Sequence, residues 1–128
     1  MYTMKQTCEI AGLPYETLKF YCNEGLIPNI ARNKNNHRIF SEEQVSWISH
    51  LYCLKNCDMS LKEMKAYLAL CYEGEETIDI RKKMLNEKRE ALVEKMNILQ
   101  KHIEYIDGKQ QFYADVQSGK IPYLTKKS

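Results

Sequence analysis

Residues 11–14 read Ala-Gly-Leu-Pro, and this short punctuation constrains the fold more than any other stretch. A glycine just past a helical turn takes the left-handed conformation that ends a helix. A proline two residues later suits the first turn of a new helix, where its missing N–H costs nothing. Upstream, Thr3 with Gln6 forms a capping box, and Met4, Cys8 and Ala11 fall on one helical face, widened by Ile10. Leu13 points inward and holds the turn. The second helix runs from about 14 to 23. Leu18 and Cys22 face the first helix, with Phe20 or Tyr21 partly buried, and Tyr15, Glu16, Thr17, Lys19 and Tyr21 share the outer side. Gly25 closes this helix, and Leu26, Ile27 and Pro28 lead away as an extended arm.

Residues 29–40 carry Arg32, Lys34 and Arg38 and no acid. Asn35 and Asn36 tolerate positive φ, which predicts a turn at 34–36, with residues 38–40 as the returning strand. Helix, tight turn, helix and polar hairpin make a helix-turn-helix with a wing, whose commonest use is reading DNA. A second helix offering hydroxyls, a lysine and an aromatic suits a major groove, and the wing tip (Arg32, Lys34, Asn36, His37, Arg38) presents groups that bind phosphate.

Overall charge says less. The net charge is +2, and residues 1–75 hold eight Lys and Arg against nine Asp and Glu. Only the local positive character of the wing favours nucleic acid. Five cysteines without a C-x-x-C pair exclude a full disulfide framework and point to a reducing compartment. No apolar run approaches the roughly 20 residues of a membrane span, and the amino terminus lacks a signal-peptide core, so a cytoplasmic protein with no membrane partner is expected.

Ser41 with Gln44 opens a third helix, whose face is Val45, Ile48, Leu51, Tyr52 and Lys55 and which ends near Asn56. Trp47 and Leu54 pack to one side. A loop at 57–59 follows, and Ser60 with Glu63 caps a fourth helix whose stripe is Leu61, Met64, Leu68 and Cys71. Gly74 breaks a polar, hinge-like stretch. From Ile78 to about Tyr113 only Gly108 interrupts helix, a rod of roughly 50 Å. Leu85, Leu92, Leu99, Ile106 and Tyr113 recur every seven residues, with Met96 and Ile103 between them and Arg89 and Gln110 interrupting. This coiled-coil seam needs a partner. Packing back onto its own domain is the alternative, against which stands the length of the helix. The expected organisation is mainly α: a winged helix-turn-helix domain (1–75), a dimerisation helix (76–115) and a tail (116–128). The tail is expected to dock on a partner through Ile121, Pro122, Tyr123 and Leu124.

The first stretch resembles the DNA-binding domain of the MerR family of bacterial transcription regulators. The resemblance rests on Tyr2-Thr3-Met4, Gly12-Leu13, Thr17-Leu18-Lys19-Phe20-Tyr21, Glu24-Gly25-Leu26-Ile27-Pro28 and His37-Arg38-Ile39-Phe40-Ser41, all at the family's spacing. Thr7 stands where the family has an apolar residue, and Cys22 where an acid is usual. The resemblance implies that the long helix pairs antiparallel with its twin, so that a homodimer meets a palindromic operator. It implies action on double-stranded promoter DNA, with RNA polymerase at the promoter, by distorting a spacer that is too long rather than by adding base contacts. It also makes the 57–59 loop and the helix after it a second wing, with Lys55, Ser60 and Lys62 as phosphate contacts; ordinary solvated lysines are the other reading.

Metal-sensing relatives carry cysteines around the long helix, whereas residues 72–128 contain none and His102 alone makes no site. No metal, cofactor or catalytic residue is therefore expected. Cys8, Cys22 and Cys71 lie on inward stripes as small core residues. Cys53 lies off its helix's main stripe, with His50 one turn before and Lys55 two residues on. The residues around it resemble a thiol-based subgroup of the family linked to aldehyde or electrophile stress, and they make Cys53 the effector candidate. Burial of Cys53 against the long helix is the other reading, and a strained bridge to Cys57 a third. Two further classes stay open. One is a coiled-coil interaction module without regulatory DNA binding. The other is a thiol enzyme using Cys53 and His50, for which the sequence shows no cleft or oxyanion donor set.

Overall fold

Three helices begin on the same device. Thr3, Ser41 and Ser60 each accept from the backbone N–H three residues on, and the side chains of Gln6, Gln44 and Glu63 accept from the cap's own N–H. These reciprocal bonds satisfy donors that a helix start leaves open. They set the starts of α1 (Met4–Ala11), α3 (Glu42–Asn56) and α4 (Leu61–Glu73) where the spacing in the sequence places them. Between α1 and α3 lies α2 (Tyr15–Asn23), which has no side-chain cap; the Pro14 carbonyl accepts from Thr17 and Leu18 instead. Gly12, at φ 70°, ends α1 and donates to the Cys8 carbonyl. The computed structural model describes residues 1–123.

A small antiparallel sheet joins these helices. Its strands are β1 (Tyr2–Thr3), β2 (Ala31–Arg32) and β3 (Arg38–Phe40), in the order β1-β3-β2. Tyr2 pairs with Phe40, Ala31 with Ile39 and Arg32 with Arg38. The hairpin is the expected wing. The extra strand, β1, is two residues long, too short for alternation to reveal it.

The chain divides into two compact units, Met1–Lys88 and the residues from Arg89 onward. In the first, Leu13, Leu18, Tyr21, Leu26, Ile27, Phe40 and Val45 pack with Ile48, Leu51, Met59, Met64 and Leu68. Phe40 carries the sheet into this core, and Met59 anchors the α3–α4 loop, where Asp58 takes a φ of 67°. Trp47 donates through Nε1 to the Leu26 carbonyl at 2.8 Å and lies against Tyr72. Gln44 donates to the carbonyls of Pro28 and Asn29, tying down the arm before the wing.

After α4, Gly74 at φ 101° turns the chain into a short 3-10 helix, Glu75–Thr77. The Thr77 hydroxyl is buried 2.6 Å from the Leu70 carbonyl and 2.9 Å from that of Gly74. Arg81 donates to the Thr77 hydroxyl and to the Gly74 carbonyl. Helix α5 (Ile78–Gln117) then runs four residues beyond the expected end. Gly108 does not stop it, because a single helical glycine costs only about 1 kcal/mol relative to alanine. Gly119, at φ 82°, follows its end. No residue of α5 is buried. No helix among the described residues is long and apolar enough to cross a membrane.

Candidate nucleic-acid interface

Helix α2 sorts its residues by the 3.6-residue turn. Leu18 is fully buried, and Tyr21, three residues on, shares its face at 2 % exposure. Phe20 is rotated away and is 46 % exposed. This corrects the expected groove face, which included Tyr21. Its spacing from Leu18 carried the signal that it turns inward. Burial and the neighbouring Tyr52 push the Tyr21 phenol up to about 12. Among the described residues its hydroxyl has no hydrogen-bond partner, nor has that of buried Thr7. The outward residues are Tyr15, Glu16, Lys19 and Phe20, with Thr17 half-buried.

Asn33 organises the wing. Its side-chain oxygen accepts from the backbone N–H groups of Asn35 and His37, at 2.9 and 3.0 Å. Its own N–H donates to the His37 carbonyl, and its carbonyl accepts from Asn36, which sits at φ 63°. An asparagine can close a turn in this way with its own side chain. Reading for basic residues passed over Asn33, although asparagine before an Asn-Asn pair is itself a turn signal. Arg32, Lys34, Asn36 and His37 are exposed at the tip.

Arg38 is half-buried and donates to Asn23 Oδ1 at 2.9 Å, linking the wing to the end of α2. Arg32 donates to the Asn36 carbonyl at 2.8 Å. Burial raises the nearby Cys22 thiol, while Arg38 and Arg32 oppose that rise. Cys8, also packed on the core, is raised by burial and then by Glu9.

A groove of about 320 Å³ runs between α2 and the α3–α4 loop, bringing Thr17 and Phe20 together with Lys55, Met59 and Leu61. Lys55 lies over the Tyr52 ring at 5.7 Å. Ser60 and Lys62 are exposed at the start of α4. Beside them, Glu63 forms an ion pair with Lys88 at 2.8 Å. The bond from Lys88, then that from the Ser60 backbone, hold the Glu63 carboxyl at about 2, below its usual range.

All five cysteines are free. In the single chain Cys53 is exposed, so burial does not hold for this chain alone, and His50 is exposed one turn before it. Among the described residues no three His, Cys, Asp or Glu side chains group as a metal requires. Along α5, Leu85, Leu92, Met96, Leu99, Ile103, Ile106 and Tyr113 are all exposed. Ile121 and Tyr123 of the tail are exposed as well, and Leu124 lies outside the described residues.

A helix-turn-helix with a wing, followed by a long helix, is the architecture of a DNA-binding regulator. Residues 2–71 match the model of the MerR HTH family regulatory proteins, and the chain belongs to that family. It is 32% identical over 112 residues to an uncharacterized HTH-type transcriptional regulator of Haemophilus influenzae, covering 88% of this chain and 83% of that one. It is 34% identical over 89 residues to the transcriptional regulator AdhR of Bacillus subtilis, covering 70% of this chain and 64% of AdhR. Among solved structures it resembles HiNmlR, a MerR family regulator lacking the sensor domain and bound to promoter DNA. There the TM-score is 0.79 at 31% identity, over 91% of this chain and 89% of that one.

Proposed function

We propose that this protein is a sequence-specific, DNA-binding transcription regulator of the MerR type that works as a homodimer on promoter DNA. The observation that carries this reading is that the wing, with exposed Arg32, Lys34 and His37, is tied by the Arg38–Asn23 bond to α2, whose outer residues include Tyr15 and Lys19. The promoter-bound state of HiNmlR supports it.

In this reading α2 enters the major groove while the wing and the α3–α4 loop hold the backbone. Residues 1–75 read DNA and 76–115 pair with a second copy. The exposed seam of α5 supports an antiparallel pair, which sets two reading helices against a palindromic operator. The protein then acts in the cytoplasm, with RNA polymerase at the promoter, by deforming the spacer rather than by reading more bases. The exposure of Cys53 supports a response to reactive aldehydes or electrophiles through its thiol.

The test is binding to DNA upstream of the protein's own gene over a salt series, for wild type and Arg38→Ala. The reading expects tight binding that falls steeply with salt, and a marked loss in the variant. Weak, salt-insensitive binding to every sequence would favour a coiled-coil interaction module instead. The same titration after aldehyde treatment, with Cys53→Ser as control, tests the thiol: a response that survives the substitution excludes it.

A further inference from the structure

The α3–α4 loop is anchored from behind by the long helix. Lys88 lies on α5, two turns beyond Arg81 and on the same side of the helix. Its Nζ donates to Glu63 at 2.9 Å and to the Asp58 carbonyl at 3.2 Å. Glu63 in turn accepts from the Ser60 N–H at 3.1 Å, while its own N–H donates to Ser60 Oγ. One ammonium group therefore touches both sides of the loop, the left-handed Asp58 and the start of α4. Arg81 performs the equivalent task at the other end of α4, on Thr77 and Gly74. The amino-terminal unit ends at Lys88, the residue that makes this last tie.

We propose that Lys88 is a positioning residue for DNA binding: through Glu63 and the Asp58 carbonyl it holds the α3–α4 loop, with Ser60 and Lys62, at the height needed to meet the phosphate backbone. This rests on the DNA-binding reading and adds a residue from the dimerisation helix to it. Lys88 is committed to two acceptors, Glu63 and the Asp58 carbonyl, so its charge reaches DNA through the loop's placement and not by direct contact.

Glutamine at position 63 keeps the capping box, since its amide oxygen still accepts from Ser60, but loses the ion pair. The experiment compares full-length wild type, Lys88→Gln, Lys88→Arg, Glu63→Gln and the Lys88→Gln/Glu63→Gln double variant on the same upstream DNA over a salt series. Circular dichroism checks that helix content is unchanged. Lys88→Gln and Glu63→Gln should each weaken binding about three- to tenfold, and the double variant no further than one of them. Any fall in the salt slope should be shared by Lys88→Gln and Glu63→Gln, as the common loss of the loop's contacts, and Lys88→Arg should restore affinity.

Unchanged affinity in Lys88→Gln overturns the proposal. So does a fall in its salt slope that Glu63→Gln, which keeps the lysine, does not share, since Lys88 would then be a direct phosphate contact. Weakening by Lys88→Gln but not by Glu63→Gln also overturns it, because the route through Glu63 is then absent. Wild type failing to bind in a salt-dependent way would instead defeat the regulator reading beneath it.

Discussion

The amino-terminal unit and the helix beyond it differ in where their apolar surface goes. Up to Lys88 the chain buries a shared core in which Leu18, Phe40 and Ile48 are fully inaccessible. Along α5 nothing is buried, and Met96, Leu99 and Ile106 stand more than half exposed. The first region completes itself. The second leaves its apolar face uncovered in the single chain, and an isolated helix gains little from its own backbone once that face meets water. The difference teaches that substitutions should sort by whether they fall on the buried core or on the exposed face of α5.

The largest effect expected is from Leu99→Lys. A charge in the middle of the seam should convert a dimer into monomers in sedimentation equilibrium, weakening association by at least about a hundredfold. The unfolding of the amino-terminal unit should be little changed. A dimer that survives would break the comparison by removing the seam from the interface. Next is Ile48→Ala, which empties a fully buried site and should cost about 2–5 kcal/mol in urea unfolding at every protein concentration.

A smaller effect comes from pH. Because Glu63 titrates near 2 in the fold against 4.5 ordinarily, its contribution to stability is complete above about pH 4.5. It should be lost as pH falls towards 2, and Glu63→Gln should flatten that part of the profile of urea midpoints. Smallest is Tyr21→Phe. Removing a buried hydroxyl that has no partner among the described residues should leave stability within about 1 kcal/mol of wild type, on the stabilising side, with DNA affinity unchanged. A large loss of affinity would return Tyr21 to the groove.

What the sequence made legible was local. Each capping box joins residues three apart, the Gly12 stop and Asn36 turn depend on one residue's φ, and the heptad of α5 repeats in plain order. What it hid was pairing at a distance. Lys88 meets Glu63 across 25 residues, Arg38 meets Asn23 across 15, and nothing in either neighbourhood singles out the partner. The exchange of Tyr21 for Phe20 was a different kind of miss. Two adjacent aromatics are alike in composition, and only the turn geometry from Leu18 decides which is enclosed.

The wing sets Arg32 directly across from Arg38, a like-charged pair that opposes strand pairing. Each guanidinium is drawn aside, one to the Asn36 carbonyl and the other to Asn23, but neither partner carries a neutralising charge. The unbound hairpin is thus strained electrostatically, and an arriving phosphate relieves repulsion as well as adding attraction. Dissolved salt acts on both contributions: it screens the pull of DNA and also relaxes the unbound hairpin. Part of the ionic sensitivity of binding therefore belongs to the free protein, and it would be read as phosphate contacts by anyone counting from the slope alone.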